Sequence, residues 1–147
     1  MIRKLSIALS ACCAVAATVA TVSPAAVASE PTFDDRREIA CSIIAKHDRD
    51  RDGRLNIFEA KRAGKKAFKT LDTNGNWTLQ YPEVGNRISP AAFDRYDRIK
   101  IRGMDRIEWT RLVKARFRAA SQDRRTVTCD DLLMSREGRD LLAVIWY

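Results

Sequence analysis

The sequence predicts an all-α fold of about five helices joined by four short loops, built as one small domain. Three observations lead there. Loop-forming clusters begin at residues 48, 72, 97 and 121, in steps of 24, 25 and 24, and a fixed step of this size marks an internal repeat. Aromatic and apolar residues enter each loop in the same phase: Phe68 and Leu71 before Asp72, Phe93 and Tyr96 before Asp97, Phe117 before Ser121. Between the loops, apolar residues recur at helical spacing.

The elements follow in order. A first helix carries Cys41 and ends at His47. The next connector runs from Ala60 to Leu71, with Ala60, Ala63, Ala67, Phe68 and Leu71 on one face and Lys61, Arg62, Lys65 and Lys69 on the other. Twelve residues rise roughly 18 Å as a helix, too short for two helices and a turn. The helix leaving one loop therefore enters the next. Gly64 weakens its middle by about 1 kcal/mol and is expected to bend it. The second connector contains Gly85, and Ser89-Pro90 reads as an N-cap with proline at the first helical position, so this connector is expected to be broken. Near the end of the chain Thr128 caps Cys129–Met134. Gly138 then interrupts, and Leu141, Leu142, Val144, Ile145 and Trp146 form an apolar close that packs back onto the core.

The first loop is the most specific motif. Asp48, Asp50, Asp52, Gly53, Leu55 and Glu59 spell D-x-D-x-D-G-x-L-x-x-x-E. Asp48, Asp50 and Asp52 place oxygens at positions 1, 3 and 5. Arg54 offers its backbone carbonyl at position 7, and Asn56 at position 9 ligates weakly or through a water. Glu59 closes the shell with both oxygens at position 12, Gly53 permits the sharp turn, and Leu55 points away from the ion. This pattern resembles the EF-hand calcium-binding family, in particular small exported bacterial members with repeats about 24 residues apart. The resemblance spans Ile39 to Asp131 and implies Ca²⁺ as the bound ion. Mg²⁺ fits a bidentate Glu59 poorly, because it prefers six ligands and retained waters.

The other three repeats decay. Asp72, Asn74, Asn76, Thr78 and Glu83 make a second, weaker site, in which Trp77 stands where glycine is usual. A bulky residue at positive φ costs about 1–3 kcal/mol. The third loop, Asp97 to Glu108, carries Ile99 and Ile101 at positions 3 and 5 and lacks ligands. The fourth, from Ser121 to Asp131, is one residue short, and Arg124 and Arg125 intrude. Two loops are thus good and two degenerate. If the connectors run up and down, the first loop neighbours the third, bringing Leu55 beside Met104. Pairing of consecutive loops would instead bring Leu55 beside Leu79.

Composition sets the context. Arg3 and Lys4, the apolar run Leu5–Val22 and the small-x-small sequence Ala26-Val27-Ala28 read as a signal peptide over residues 1–28, leaving residues 29–147 as a single domain that is secreted or periplasmic. A retained anchor and a lipid-modified Cys12 are less favoured alternatives. The domain keeps Cys41 and Cys129, an even pair that an oxidising compartment would join, though buried free thiols are the other possibility. Net charge is +8, of which Arg3 and Lys4 supply two. The excess concentrates between Arg95 and Arg125, with Arg98, Lys100, Arg102, Arg106, Arg111, Lys114, Arg116 and Arg118. It is either a solvated helix exterior or a face for an acidic protein or anionic surface, with calcium only supporting the scaffold. Nucleic acid is disfavoured, since no recognition motif is present. An enzyme is disfavoured too: His47 is the only histidine and no nucleophile–base set accompanies it.

Overall fold

The computed structural model describes residues 32–121 and 125–147. The signal peptide read at residues 1–28 and the Arg124 of the fourth repeat lie outside them. The chain from Pro31 to Tyr147 forms one compact unit. The described residues are mostly helical, with seven helices and four two-residue strands among them: α1 (Phe33–His47), β1 (Leu55–Asn56), α2 (Ile57–Leu71), β2 (Thr78–Leu79), α3 (Tyr81–Val84), α4 (Pro90–Tyr96), β3 (Met104–Asp105), α5 (Arg106–Ala120), β4 (Thr126–Val127), α6 (Cys129–Met134) and α7 (Arg136–Ile145). No helix among the described residues is long and apolar enough to cross a membrane.

One local device starts four of the helices that follow a loop. The residue just after or ending each strand caps the helix, and a carboxylate three positions on reaches back to the cap's own N–H. The pairs are Asn56 with Glu59, Gln80 with Glu83, Asp105 with Glu108 and Thr128 with Asp131; at Gln80 the Glu83 N–H donates to the backbone carbonyl and not to the side chain. Such reciprocal bonding satisfies donors that a helix start otherwise leaves open. It explains why the closing carboxylate is present in all four repeats, including those that lack acidic side chains at positions 3 and 5.

α2 and α5 are each 15 residues long and unbroken. Each leaves one loop and enters the next, as the spacing predicts. α2 runs unbroken through Gly64. This glycine lies buried where α2 crosses α5, and a Cβ there would sit 2.6 Å from Val113 Cγ2. Beside it the Trp109 indole N–H donates to the Gly64 carbonyl at 2.9 Å.

The strands form two antiparallel pairs. Leu55 lies opposite Val127, and Leu79 opposite Met104. The first loop therefore pairs with the fourth and the second with the third, so neither the alternating scheme nor simple pairing of the first two loops holds. The reason lies in the second connector. α2 and α5 each carry the chain roughly 22 Å across the domain. Between β2 and β3 the chain is broken into the four-residue α3 and the seven-residue α4. This break, expected from Gly85 and Ser89-Pro90, folds the chain back to the end it started from. The third loop thus rejoins the second, and α5 returns the chain to the first.

The core collects the aromatic residues that enter the loops. Phe68, Trp109, Phe117, Leu112, Leu141 and Ile145 are all almost wholly buried. α7 packs against α5 and α2, bringing the apolar end of the chain inward as expected, though Trp146 stays exposed. The break between α6 and α7 falls at Ser135, which caps α7 by accepting from the Gly138 N–H, and not at Gly138 itself. Gly138 is instead a close-contact position against the Asp131 carbonyl. Cys41 of α1 and Cys129 of α6 form a disulfide, with Cα atoms 4.9 Å apart. This bond is compatible with an oxidising compartment.

Candidate metal centre

The first loop begins where α1 stops. Asp48 is the C-cap of α1, its N–H donating to the Ile44 carbonyl. Its carboxylate then organises the turn. Oδ1 accepts from the N–H groups of Arg51 (2.7 Å) and Asp52 (3.2 Å), and Oδ2 from that of Gly53 (2.7 Å). Arg51 and Gly53 take left-handed backbone conformations, with φ of 61° and 76°. Asp52 Oδ1 accepts from the Arg54 N–H at 2.8 Å.

These turns bring Asp48, Asp50 and Asp52 together. One oxygen from each lies within 4.8 Å of the others, the one such group of three found among the described residues. Calcium–oxygen bonds are about 2.3–2.6 Å long, so oxygens on opposite sides of one ion stand about 5 Å apart, and the group has the span to share a single cation. Its electrostatics fit as well. The Asp50 carboxyl is pushed above the ordinary carboxylate range by desolvation, by its hydrogen bond to Asp48, and by the charges of Asp52 and Glu59. Desolvation also acts to raise the Asp48 carboxyl, but the N–H groups of Gly53, Arg51 and Asp52 and the Asp50 side chain outweigh it and hold it low. An open cleft of about 360 Å³ adjoins the loop, lined by Arg49, Asp50, Asn56, Phe58, Glu59 and Arg62.

Glu59 stands outside the group of three. Its two oxygens accept from the N–H groups of Arg49 (2.7 Å) and Asn56 (2.9 Å). Each carboxylate oxygen retains a lone pair beyond these bonds. The Asn56 side-chain oxygen accepts from the Phe58 and Glu59 N–H groups, so it serves as a helix cap.

The second loop repeats the frame with less charge. Asp72 accepts from the N–H groups of Asn76 and Trp77, as Asp48 does from Asp52 and Gly53. Trp77 is held at φ 65°, the strained conformation expected of it, with its ring exposed. Asn74 accepts from the Asn76 N–H, and Asn76 from that of Thr78. Glu83 accepts from Thr73 and Gln80. Desolvation opposes ionisation of Glu83, yet these bonds keep its carboxyl below the usual range.

The third loop keeps the frame without the ligands. Glu108, only 2% exposed, accepts from the N–H groups of Arg98 and Asp105. Asp97 accepts from that of Lys100. Ile99 and Ile101 occupy positions 3 and 5 and point to solvent.

His47 precedes the first loop and is buried, 7% exposed. Its ring lies 5.3 Å from that of Tyr147, and Lys46 sits 3.8 Å above the Tyr147 ring. Desolvation, with the charges of Lys66 and Lys46, lowers its pKa to about 4. The basic run of α4 and α5 divides. Arg116 is half-buried and donates to the Asp140 carbonyl at 2.6 Å. Arg106, Arg111 and Lys114 instead line one cleft with Lys61 and Lys65 of α2, two residues whose part in a basic face the sequence did not disclose. In comparisons with known protein families and with curated proteins, nothing matches this chain.

Proposed function

We propose that this is an exported calcium-binding protein of EF-hand type, in which Ca²⁺ acts as a structural stabiliser or buffered ligand. The observation that carries this reading is the convergence of Asp48, Asp50 and Asp52 within 4.8 Å, with the Asp50 carboxyl raised by desolvation, by its bond to Asp48 and by the charges of Asp52 and Glu59. A divalent cation at their centre relieves that repulsion. Asp48, Asp50 and Asp52 would hold the ion, with the Arg54 carbonyl and Glu59 completing the shell. Asp72, Asn74, Asn76, Thr78 and Glu83 would form the weaker second site. Extracellular modules of this kind hold Ca²⁺ at about 10⁻⁴–10⁻³ M, where steady calcium favours a stabilising role over a fast switch. His47, buried against Tyr147 and kept neutral, suits packing better than proton transfer.

The test is calorimetric calcium titration of the ion-stripped protein. Calcium at 100 times Kd stabilises the fold by about 2.7 kcal/mol. Asp48→Ala and Asp50→Ala remove most of that gain. If no heat of binding appears, and melting temperatures with and without calcium coincide, the reading fails.

A further inference from the structure

A second surface is built from two helices that lie far apart in sequence. On α2, Phe58, Lys61 and Lys65 follow one another at steps of three and four. On α5, Ile107, Arg111, Lys114 and Arg118 do the same. Residues so spaced share a helix face. The crossing at Gly64, Val113 and Trp109 locks the two faces side by side. Two open clefts run along the seam, of about 380 and 280 Å³, and they share Lys61 and Lys114. No Asp or Glu lines either cleft. Among the described residues none of these lysines and arginines makes an ion pair; the pair found there is Arg37 with Asp130.

Two large apolar side chains stand among the cations. Phe58 is 76% exposed and Ile107 is 62% exposed. Both occupy the eleventh position of their loops, at the start of the helix, so each projects from the same part of its repeat. A soluble polyanion would be met by cations alone and would gain nothing from these side chains. A bilayer rewards both features, because apolar side chains enter the boundary region while flanking lysines and arginines meet anionic headgroups.

We propose that the α2–α5 face is a docking surface for a bilayer containing anionic phospholipid, with Phe58 and Ile107 entering the headgroup region between Lys61, Lys65, Arg106, Arg111, Lys114 and Arg118. The surface needs no calcium and stands whether or not the first loop holds an ion.

Amine-reactive footprinting of the full chain tests it locally, using vesicles of phosphatidylcholine with or without phosphatidylglycerol. Lys61, Lys65 and Lys114 are the reporters, with Lys46 and Lys100 as references off the face. The reporters become severalfold slower to label on the phosphatidylglycerol vesicles, and the references do not. In the Arg106→Glu/Arg111→Glu variant all reporters remain, and the lipid concentration for half-protection rises by at least about thirtyfold, from about 1 kcal/mol per cation. Phe58→Ser/Ile107→Ser raises it too, yet leaves protection by soluble dextran sulfate unchanged. All four substituted residues are exposed, and an unchanged circular dichroism melt confirms the fold. Reporters that label equally with and without phosphatidylglycerol would overturn the proposal. Protection by dextran sulfate but not by vesicles would also overturn it, assigning the face to a soluble polyanion.

Discussion

The Trp109 indole N–H donates to the Gly64 carbonyl at 2.9 Å, closing the crossing of α2 and α5 at the point where α2 has no side chain. Two effects compete at Gly64. Alanine is favoured over glycine in a helix by about 1 kcal/mol. Against that, its Cβ would lie 2.6 Å from Val113 Cγ2, in a core where overpacking costs about 1–3 kcal/mol. Steric cost wins, so Gly64→Ala lowers stability in urea unfolding. Adding Val113→Ala, which vacates the space, restores part of the loss relative to Val113→Ala alone.

Glu59 and Glu108 make equivalent pairs of hydrogen bonds in their own loops, yet the proposed calcium function predicts that they separate in a calcium titration. Glu108→Ala leaves the Arg98 and Asp105 N–H groups without their acceptor and costs about 1–3 kcal/mol with or without calcium. Glu59→Ala carries a similar cost and in addition loses most of the calcium-dependent gain. Melting curves of both variants, in chelator and in calcium, measure the difference.

Trp77 stores strain that glycine would not. Trp77→Gly at φ 65° relieves about 1 kcal/mol or more of backbone strain and, its ring being exposed, gives up little packing. The variant is more stable in chelator, and under the proposed calcium function it binds a second ion more tightly, as read by calorimetric stoichiometry and affinity.

His47 gives the acid profile a distinct window. Its folded pKa, about 4, lies below the unfolded value near 6.5. Between those values the unfolded chain binds the extra proton, so stability falls as pH drops from about 6.5 to about 4 and His47 contributes no further change below that. In chelator, His47→Gln flattens the denaturation midpoint across this window. Below it, acid loss persists in the variant, because Asp48, Asp35 and Glu83 are held below their ordinary range and are protonated there.

The Cys41–Cys129 bond closes a sequence separation of 88 residues. In the chain-entropy model its removal costs about 4.6 kcal/mol. Cys41→Ala/Cys129→Ala therefore melts well below the parent, and reductant shifts the parent but not the variant.

Much of this structure could be read from residues whose role is local. The acidic pattern from Asp48 to Glu59, the left-handed position of Trp77 and the break at Ser89-Pro90 each depend on a few neighbouring positions. Partnership between distant segments was harder to read. Gly85 and Ser89-Pro90 announced a broken connector, but only the folded chain shows that the break reverses direction and so decides which loops pair. Asn56 also caps the helix that follows, a role its place in the loop pattern did not announce. Lys61 and Lys65 face outward as read, and only the fold shows that α5 brings Arg111 and Lys114 beside them.

The pairing of Leu55 with Val127 carries a consequence for how the chain assembles. The strand that backs the three clustered aspartates comes from near the far terminus. A long excursion must therefore close before that contact is won, at an entropic cost that local turns do not bear. A polypeptide emerging from its amino end, from ribosome or translocation channel, can shape α2 early. It cannot pair β1 until β4, beyond α5, has followed.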